Sequence, residues 1–374
     1  MRRIKNILRL GRKELWSLAR DPIMLVLIVY VFTASIYTAA TALPETLHNA
    51  SIAIVDEDQS PLSARIASAF YPPEFVRPKM ITLGEMDAGM DSGEYTFVLN
   101  IPPNFQRDVL AGRNPEFQLN IDATRMSQAF SGNGHIQQVV MGEINEFVQR
   151  YRPAQTLPVD LALRARFNPT LEKSWFGGIA EIINSVAMLS IILTGAALIR
   201  EREHGTIEHL LVMPVTPGEI MISKIWSMSL VVLLATAMSI HLVIRGLLHV
   251  PIEGSITLFL CGAVLCLFAM TSLGIYMATF ARSMPQFGLL LMLTLMPMNM
   301  LSGGSTPRES MPELVQNLML LAPTTHFVDL GQAILFRGAG LDVVWKPFLA
   351  LFVIGTVLFV LSLRRFRKAI GQMA

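Results

Sequence analysis

Residues 200–224 read Arg200-Glu-Arg-Glu-His-Gly-Thr-Ile-Glu-His-Leu-Leu-Val-Met-Pro-Val-Thr-Pro-Gly-Glu-Ile-Met-Ile-Ser-Lys224, a charged, proline-punctuated segment with a long apolar run on each side. Upstream, Ile182 to Ile199 contains no Asp, Glu, Lys or Arg, and neither does Ile225 to Ile244 downstream. A helix of about 20 mostly apolar residues crosses a hydrocarbon layer roughly 30 Å thick, and about 17 is the lower limit. The segment is therefore a loop between two membrane spans. Its surroundings make the chain a predominantly α-helical polytopic membrane protein.

Working outward, uncharged runs mark six candidate spans: Pro22–Pro44, Ile182–Ile199, Ile225–Ile244, Gly254–Ala281, Ser283–Pro307 and Pro347–Leu363. The fourth and fifth are separated only by Arg282, which predicts a tight hairpin helped by Pro285. Composition agrees, since 16% of the 374 residues are charged, against about 25% in a soluble globular chain. A net charge of +2 gives no reason to expect nucleic acid. Cys261 and Cys266 share one apolar run and, five residues apart, diverge by about 140° on a helix, so neither a bridge nor a cysteine metal site is expected.

Basic residues in short loops set the orientation. Arg2, Arg3, Lys5, Arg9, Arg12, Lys13, Arg20, Arg200, Arg202, Lys224, Arg282, Arg364, Arg365, Arg367 and Lys368 fall on one side; Arg245, Arg308, Arg337 and Lys346 fall on the other. Fifteen against four predicts cytoplasmic N- and C-termini and a cytoplasmic central loop. Residues 1–20 read as an amphipathic helix, with Ile4, Leu8, Gly11, Leu15 and Leu18 on one face and Lys and Arg on the other. Such a helix lies in the headgroup layer with its basic face near anionic lipid. Ala40-Thr-Ala42 imitates a signal-cleavage site, but the basic stretch and the apolar run are longer than a signal peptide's. Residues 21–44 are therefore expected to remain as the first span.

Residues 45–174 lie between the first and second spans and read as an extracytoplasmic α/β domain. Strands are predicted over Ser51–Val55, Tyr95–Ile101, Glu116–Asp122 and Val159–Phe167. Ser60-Pro61 supplies a cap and a first-turn proline for a helix to about Phe70. A second helix covers Pro103–Ala111 and a long one covers Thr124–Tyr151. The acidic cluster Asp56-Glu-Asp-Gln-Ser60 lacks the glycine and distal Glu of a calcium loop, and a turn leading to the cap explains it. Residues 175–374 hold the remaining spans. Within them, Leu301-Ser-Gly-Gly-Ser-Thr-Pro307 breaks a helix, Met311-Pro312 opens a short amphipathic one and Pro323 closes it. Residues 302–326 thus predict a re-entrant or interfacial segment on the outer side.

The chemistry of the central loop is that of a docking surface. His204 and His209 accompany Glu203 and Glu208, but their spacing of five points them apart, unlike the i, i+4 pair of H-E-x-x-H. A short helix begun at Thr206 and stopped before Pro214 is expected to press Leu210, Leu211 and Met213 into a partner's groove. Glu201, Glu203 and Glu208 would pair with basic residues there. No G-x-x-x-x-G-K-[ST] phosphate loop and no G-x-S-x-G elbow occurs in the chain, so any ATP-driven motor is another polypeptide. Within the spans, Glu181, Asn184 and Asn299 are candidates for a transport path, because polar groups in a membrane are functional suspects.

The loop resembles the coupling loop of ABC-2 type transport permeases, through Glu203, Gly205-Thr206, Glu208, Leu210, Pro214 and Lys224. The resemblance extends to the YhhJ-like inner-membrane transport permeases through Ile101-Pro-Pro-Asn-Phe-Gln-Arg-Asp-Val-Leu-Ala-Gly112, Asp122-Ala-Thr-Arg-Met-Ser-Gln128 and Met300-Leu-Ser-Gly-Gly-Ser-Thr-Pro-Arg-Glu-Ser310. It implies a half-transporter that is not itself an enzyme and carries no cofactor, with ATP and magnesium on a partner ABC ATPase or an ATPase–permease fusion. It also implies a second permease half, identical or not, a periplasmic adaptor of the membrane-fusion type, and export of amphipathic drug-like molecules. Export of a lipid or polysaccharide is the alternative within the class. A periplasmic ligand-sensing receptor is the alternative outside it, but the cytoplasmic segments are too short to form an output domain.

Overall fold

A computed structural model describes residues 2–41, 49–122, 126–151, 173–203, 205, 215–304, 308 and 311–371. The chain forms two compact units, one from residues 44–164 and the other from residues 1–43 with 165–374.

In the larger unit, α1 (Arg2–Ala19) precedes α2 (Pro22–Thr41). Asp21 separates them because its carboxylate accepts the Met24 N–H at 3.2 Å while Pro22 occupies the first turn. Val31–Ser35 within α2 is wound as a π-helix. The apolar face of α1 is divided. Gly11, Glu14 and Leu18 are buried against protein, whereas Ile4, Leu8 and Trp16 remain exposed beside them.

The smaller unit runs β1 (Ile52–Asp56), α3 (Pro61–Ser68), β2 (Lys79–Met80), α4 (Leu83–Asp91), β3 (Phe97–Ile101), α5 (Phe105–Leu110), β4 (Gln118–Ile121) and α6 (Met126–Tyr151). Its sheet has the order β2-β1-β3-β4, with β1 parallel to both neighbours and β4 antiparallel to β3. Residues alternate between the two faces along a strand. Ile52, Ile54, Phe97 and Leu99 accordingly pack with Leu62 and Ile66 of α3 and Ile136 and Val140 of α6. Ala53, Val55 and Val98 turn the other way, toward Met86 and Met90 of α4. The short β2 and α4 are absent from the sequence reading, although Thr82 and Glu85 carry a capping box that announces α4. The strand read over Val159–Phe167 lies outside the described residues. The acidic cluster forms a turn: Asp56 accepts the Asp58 and Gln59 N–H groups and the Ser63 hydroxyl, and Asp58 accepts the Gln106 N–H.

The larger unit resumes with α7 (Lys173–Glu203), α8 (Pro217–Leu247), α9 (Ile256–Ala278), α10 (Met284–Met300), α11 (Glu313–Met319), α12 (Pro323–Leu335) and α13 (Leu341–Gly371). Among the described residues five helices, α2, α7, α8, α9 and α13, are long and apolar enough to cross a membrane; the α11–α12 pair, bent by 88°, would make a sixth if taken as one span. The expected fifth span, Ser283–Pro307, is a helix of only 17 residues, α10, followed by Gly303 in the left-handed region at φ 95°. The expected sixth, Pro347–Leu363, is the middle of α13, a helix of 31 residues that accommodates Pro347 early in its course. Pro323 opens α12 where the sequence reading made it a stop. A first-turn proline has no intrahelical N–H to lose, and α12 continues as a buried helix through Phe327, Leu330 and Ile334.

Helix α7 is the most enclosed span, with 78% of its apolar window buried against 17% for α13. Small residues bring backbones together around it. A Cβ on Gly274 of α9 would lie 2.5 Å from Thr194 Oγ1 and 2.9 Å from Ile191 O of α7. Most buried hydroxyls in the spans bond to their own helix, as Thr194 does to Ser190 O at 2.6 Å, Thr236 to Val232 O at 2.7 Å and Thr271 to Leu267 O at 2.6 Å. Ser362 of α13 instead donates to Ser272 O of α9 at 2.6 Å.

Candidate coupling site

The loop expected over 200–224 is shorter at both ends. Thr216 caps α8, accepting the Glu219 N–H at 3.3 Å, while Glu219 accepts the Thr216 N–H at 2.7 Å and Pro217 fills the first turn. On the other side α7 continues to Glu203, and Gly205 follows with φ 66°. That left-handed conformation closes helices at little cost for glycine alone. Thr206, Glu208, Leu210, Pro214, His204 and His209 lie outside the described residues.

The last turn of α7 is the centre of the site. Successive helical residues point about 100° apart, so four consecutive charged side chains fan out to four surroundings. Arg200 pairs with Asp21, the cap of α2, at 2.9 Å. Glu201 reaches Lys13 of α1 at 3.0 Å and Lys224 of α8 at 2.8 Å. Arg202 donates to Ala281 O, just beyond α9, at 2.8 Å. Glu203 accepts the Met284 N–H at the start of α10, at 3.1 Å. One helix end thus holds α1, α2, α8 and the α9–α10 turn together, directly before the loop.

Glu201 was expected to pair with a partner's basic residue and Lys224 to belong to the coupling loop, and the structure buries both inside the chain. Lys224 is 1% exposed and also pairs with Glu14 of α1 at 3.1 Å; Glu201 is 9% exposed. Their charges are spent inside the chain because a buried lysine requires carboxylates to replace its lost water. Burial pushes the Glu14 carboxyl above the ordinary range, against the opposing pull of Lys224. Burial also works against the charge of Lys13, yet Glu201 holds its ammonium above the ordinary lysine range. Glu203 stays exposed. Lys13, Glu14 and Asp21 escaped the sequence reading. The available signal was a single Glu on the packed face of an otherwise basic helix.

The path candidates do not converge. Glu181 accepts the Ser35 hydroxyl of α2 at 2.9 Å. Asn184, one turn along the same face of α7, lines a small cavity with Gln332 of α12 and Phe336 just after it. Asn299 ends α10 with its buried Oδ1 unpartnered, and no hydrogen bond among the described residues joins it to the other two.

The sequence pattern of the family described as ABC-2 family transporter protein matches residues 22–364. The inner membrane transport permease YhhJ of Escherichia coli K12 is 62% identical over 374 residues, covering all of both chains. The probable multidrug ABC transporter permease YbhR of the same organism is 26% identical over 363 residues, 96% of this chain and 97% of its own; YbhS, similarly described, is 26% identical over 286 residues, 74% of this chain and 73% of its own. In this family the membrane subunit carries transport and a separate ABC ATPase subunit hydrolyses ATP. With its apolar helices joined through one polar helix end, and with this agreement along nearly its whole length, the chain belongs to the ABC-2 transporter permease family.

Proposed function

We propose that the chain is the inner-membrane half of an ATP-driven exporter that moves amphipathic, drug-like molecules out of the cytoplasm or the membrane. The observation that carries the coupling role is the fan at Arg200–Glu203, which ties four neighbouring segments to the root of the central loop. A push on the loop by an ATPase moves α7, and through it α1, α2, α8 and α10, as one body. Glu203, Gly205, Thr206, Glu208, Leu210 and Pro214 form the contact with the ATPase. Lys224 acts behind them as the internal tie, and Glu181, Asn184 and Asn299 border the path. The asymmetry of basic residues supports cytoplasmic termini and loop and puts the α/β unit in the periplasm, where it docks an adaptor. Two permease halves complete the pore, and the exposed ridge Leu289, Met292, Leu293, Met296 and Met300 of α10 offers lipid or the second half an apolar face.

The descriptions of YbhR and YbhS support the drug-like class. The test is accumulation of an amphipathic cationic dye in cells lacking this chain, with and without its restoration beside the cognate ATPase. Restored efflux is expected, and an ATPase-dead partner abolishes it. Unchanged dye levels together with a lost surface lipid or polysaccharide would overturn the assignment. Fusion of a reporter active only in the periplasm after Asn120 is expected to work, and fusion at the C-terminus to fail.

A further inference from the structure

Between α1, α2, α7 and α8 lies a cavity of about 260 Å³, open on one side. Its floor is apolar, formed by Leu18, Met24, Leu193, Ala197 and Met228, and Lys13 and Arg200 lie among its lining residues. The Lys13 and Arg200 side chains are 51% and 38% exposed, whereas the carboxylates of Glu14 and Glu201 are largely withdrawn from solvent and engaged with Lys224. The charged groups presented outward are therefore cationic, and the uncharged lining is mostly hydrocarbon. A drug-sized ligand fills about 300–1,000 Å³; this space takes a headgroup and the upper part of one chain. Ammonium and guanidinium groups carry three and five donors, so each can serve a phosphodiester while keeping its carboxylate.

We propose that this cavity binds one acidic phospholipid of the inner leaflet, its phosphodiester between Lys13 and Arg200 and an acyl chain over Ala197 and Met228. The proposal rests on the interfacial placement of α1 and on the coupling role of the Arg200–Glu203 turn. It adds a lipid to the bodies that this turn joins. The lipid shares Lys13 with Glu201 and Arg200 with Asp21, so membrane charge bears directly on how firmly α1 and α2 hold the coupling helix.

The test is lipid binding to the purified full chain in neutral detergent, by native mass spectrometry and thermal shift, with phosphatidylglycerol, phosphatidylcholine and inorganic phosphate as probes. Phosphatidylglycerol is expected to remain bound singly and to raise the melting temperature; the other two are not. Lys13→Gln with Arg200→Gln is expected to weaken binding roughly 30-fold, at the usual strength of two interfacial cations. Ala197→Phe fills the floor without touching a charge, and is expected to abolish retention of the lipid while the lipid-free melting temperature stays unchanged. Equal retention of phosphatidylcholine, an equal shift by phosphate, or full binding by folded Ala197→Phe protein would overturn the proposal. ATPase co-purification, scored on the same preparations, reports separately on the coupling assignment.

Discussion

Replacing Lys224 with Met probes the buried tie most directly. Met matches the length and apolar volume of the lysine stem, so the change removes a charge and little packing. Lys224 bonds to Glu14 at 3.1 Å and to Glu201 at 2.8 Å, and all three are less than 10% exposed. Without it, Lys13 alone faces the two carboxylates, at 3.0 Å from Glu201 and 3.8 Å from Glu14. Removing one partner of a buried pair costs about 3–5 kcal/mol, because a charge is left in a poor solvent. That range is the expected loss, read by reversible unfolding in mixed micelles at pH 7.5. The loss has a pH signature. An acid whose folded pKa is raised contributes stability below its unfolded pKa and loses it as pH rises through the folded value. Burial already raises Glu14, and removal of Lys224 raises it further, so the deficit of Lys224→Met is smaller at pH 5 than at pH 8. Adding Glu14→Gln removes the stranded carboxylate and should restore about 2 kcal/mol, the coupling expected for contacting residues. A loss below about 1 kcal/mol, or strict additivity of the two changes, would refute the claim that the cluster is desolvated.

Three further outcomes follow from particular residues. Gly205→Val places a β-branched residue at φ 66°, at a cost of about 1–2 kcal/mol; membrane insertion should stay normal while ATPase turnover loses its link to dye efflux. Gly11→Leu puts a Cβ 2.1 Å from the Trp226 ring, so α1 should lift from α8, shown by faster hydrogen exchange over residues 2–19. In the α/β unit, Thr82 holds the Glu85 carboxyl below its ordinary range through backbone and side-chain hydrogen bonds. A depressed acid contributes above its unfolded pKa and loses that contribution as pH falls through the folded one. The stability gap between the wild type and Glu85→Gln should therefore close below about pH 4, as measured by melting at a series of pH values.

The helical, membrane-spanning character was legible because it is a property of contiguous runs. The start of α8 was legible too: Thr216-Pro-Gly-Glu219 spells a cap, a first-turn proline and a capping box, and only the attraction of a long charged loop hid it. Helix α12 was misread because a proline both ends and begins helices, and the deciding fact is its burial against α7 and α9. The ion cluster was out of reach for a different reason. Lys13 and Glu201 are 188 residues apart and Glu14 and Lys224 are 210 apart, and pairing at such separations is set by the packing of α1 on α8, which no local pattern reports.

The hydroxyls that bond within their own helices bear on how the chain is made. A span whose Thr and Ser groups are already satisfied meets lipid without exposing an unpaired donor. Helix α9, whose buried Thr271 and Ser272 bond to Leu267 O and Phe268 O, can therefore leave the insertion machinery before its neighbours exist, whereas α7 and α8 carry buried Ser185, Ser229 and Ser239 hydroxyls without a partner among the described residues. Lys224 adds a full charge to the buried face of α8, and no residue of its own helix is shown bonding to its ammonium. Order of synthesis removes the difficulty. Lys13, Glu14 and Glu201 all precede it in the chain, so when α8 emerges both acids are already in place, and the cation joins a site that was waiting for it.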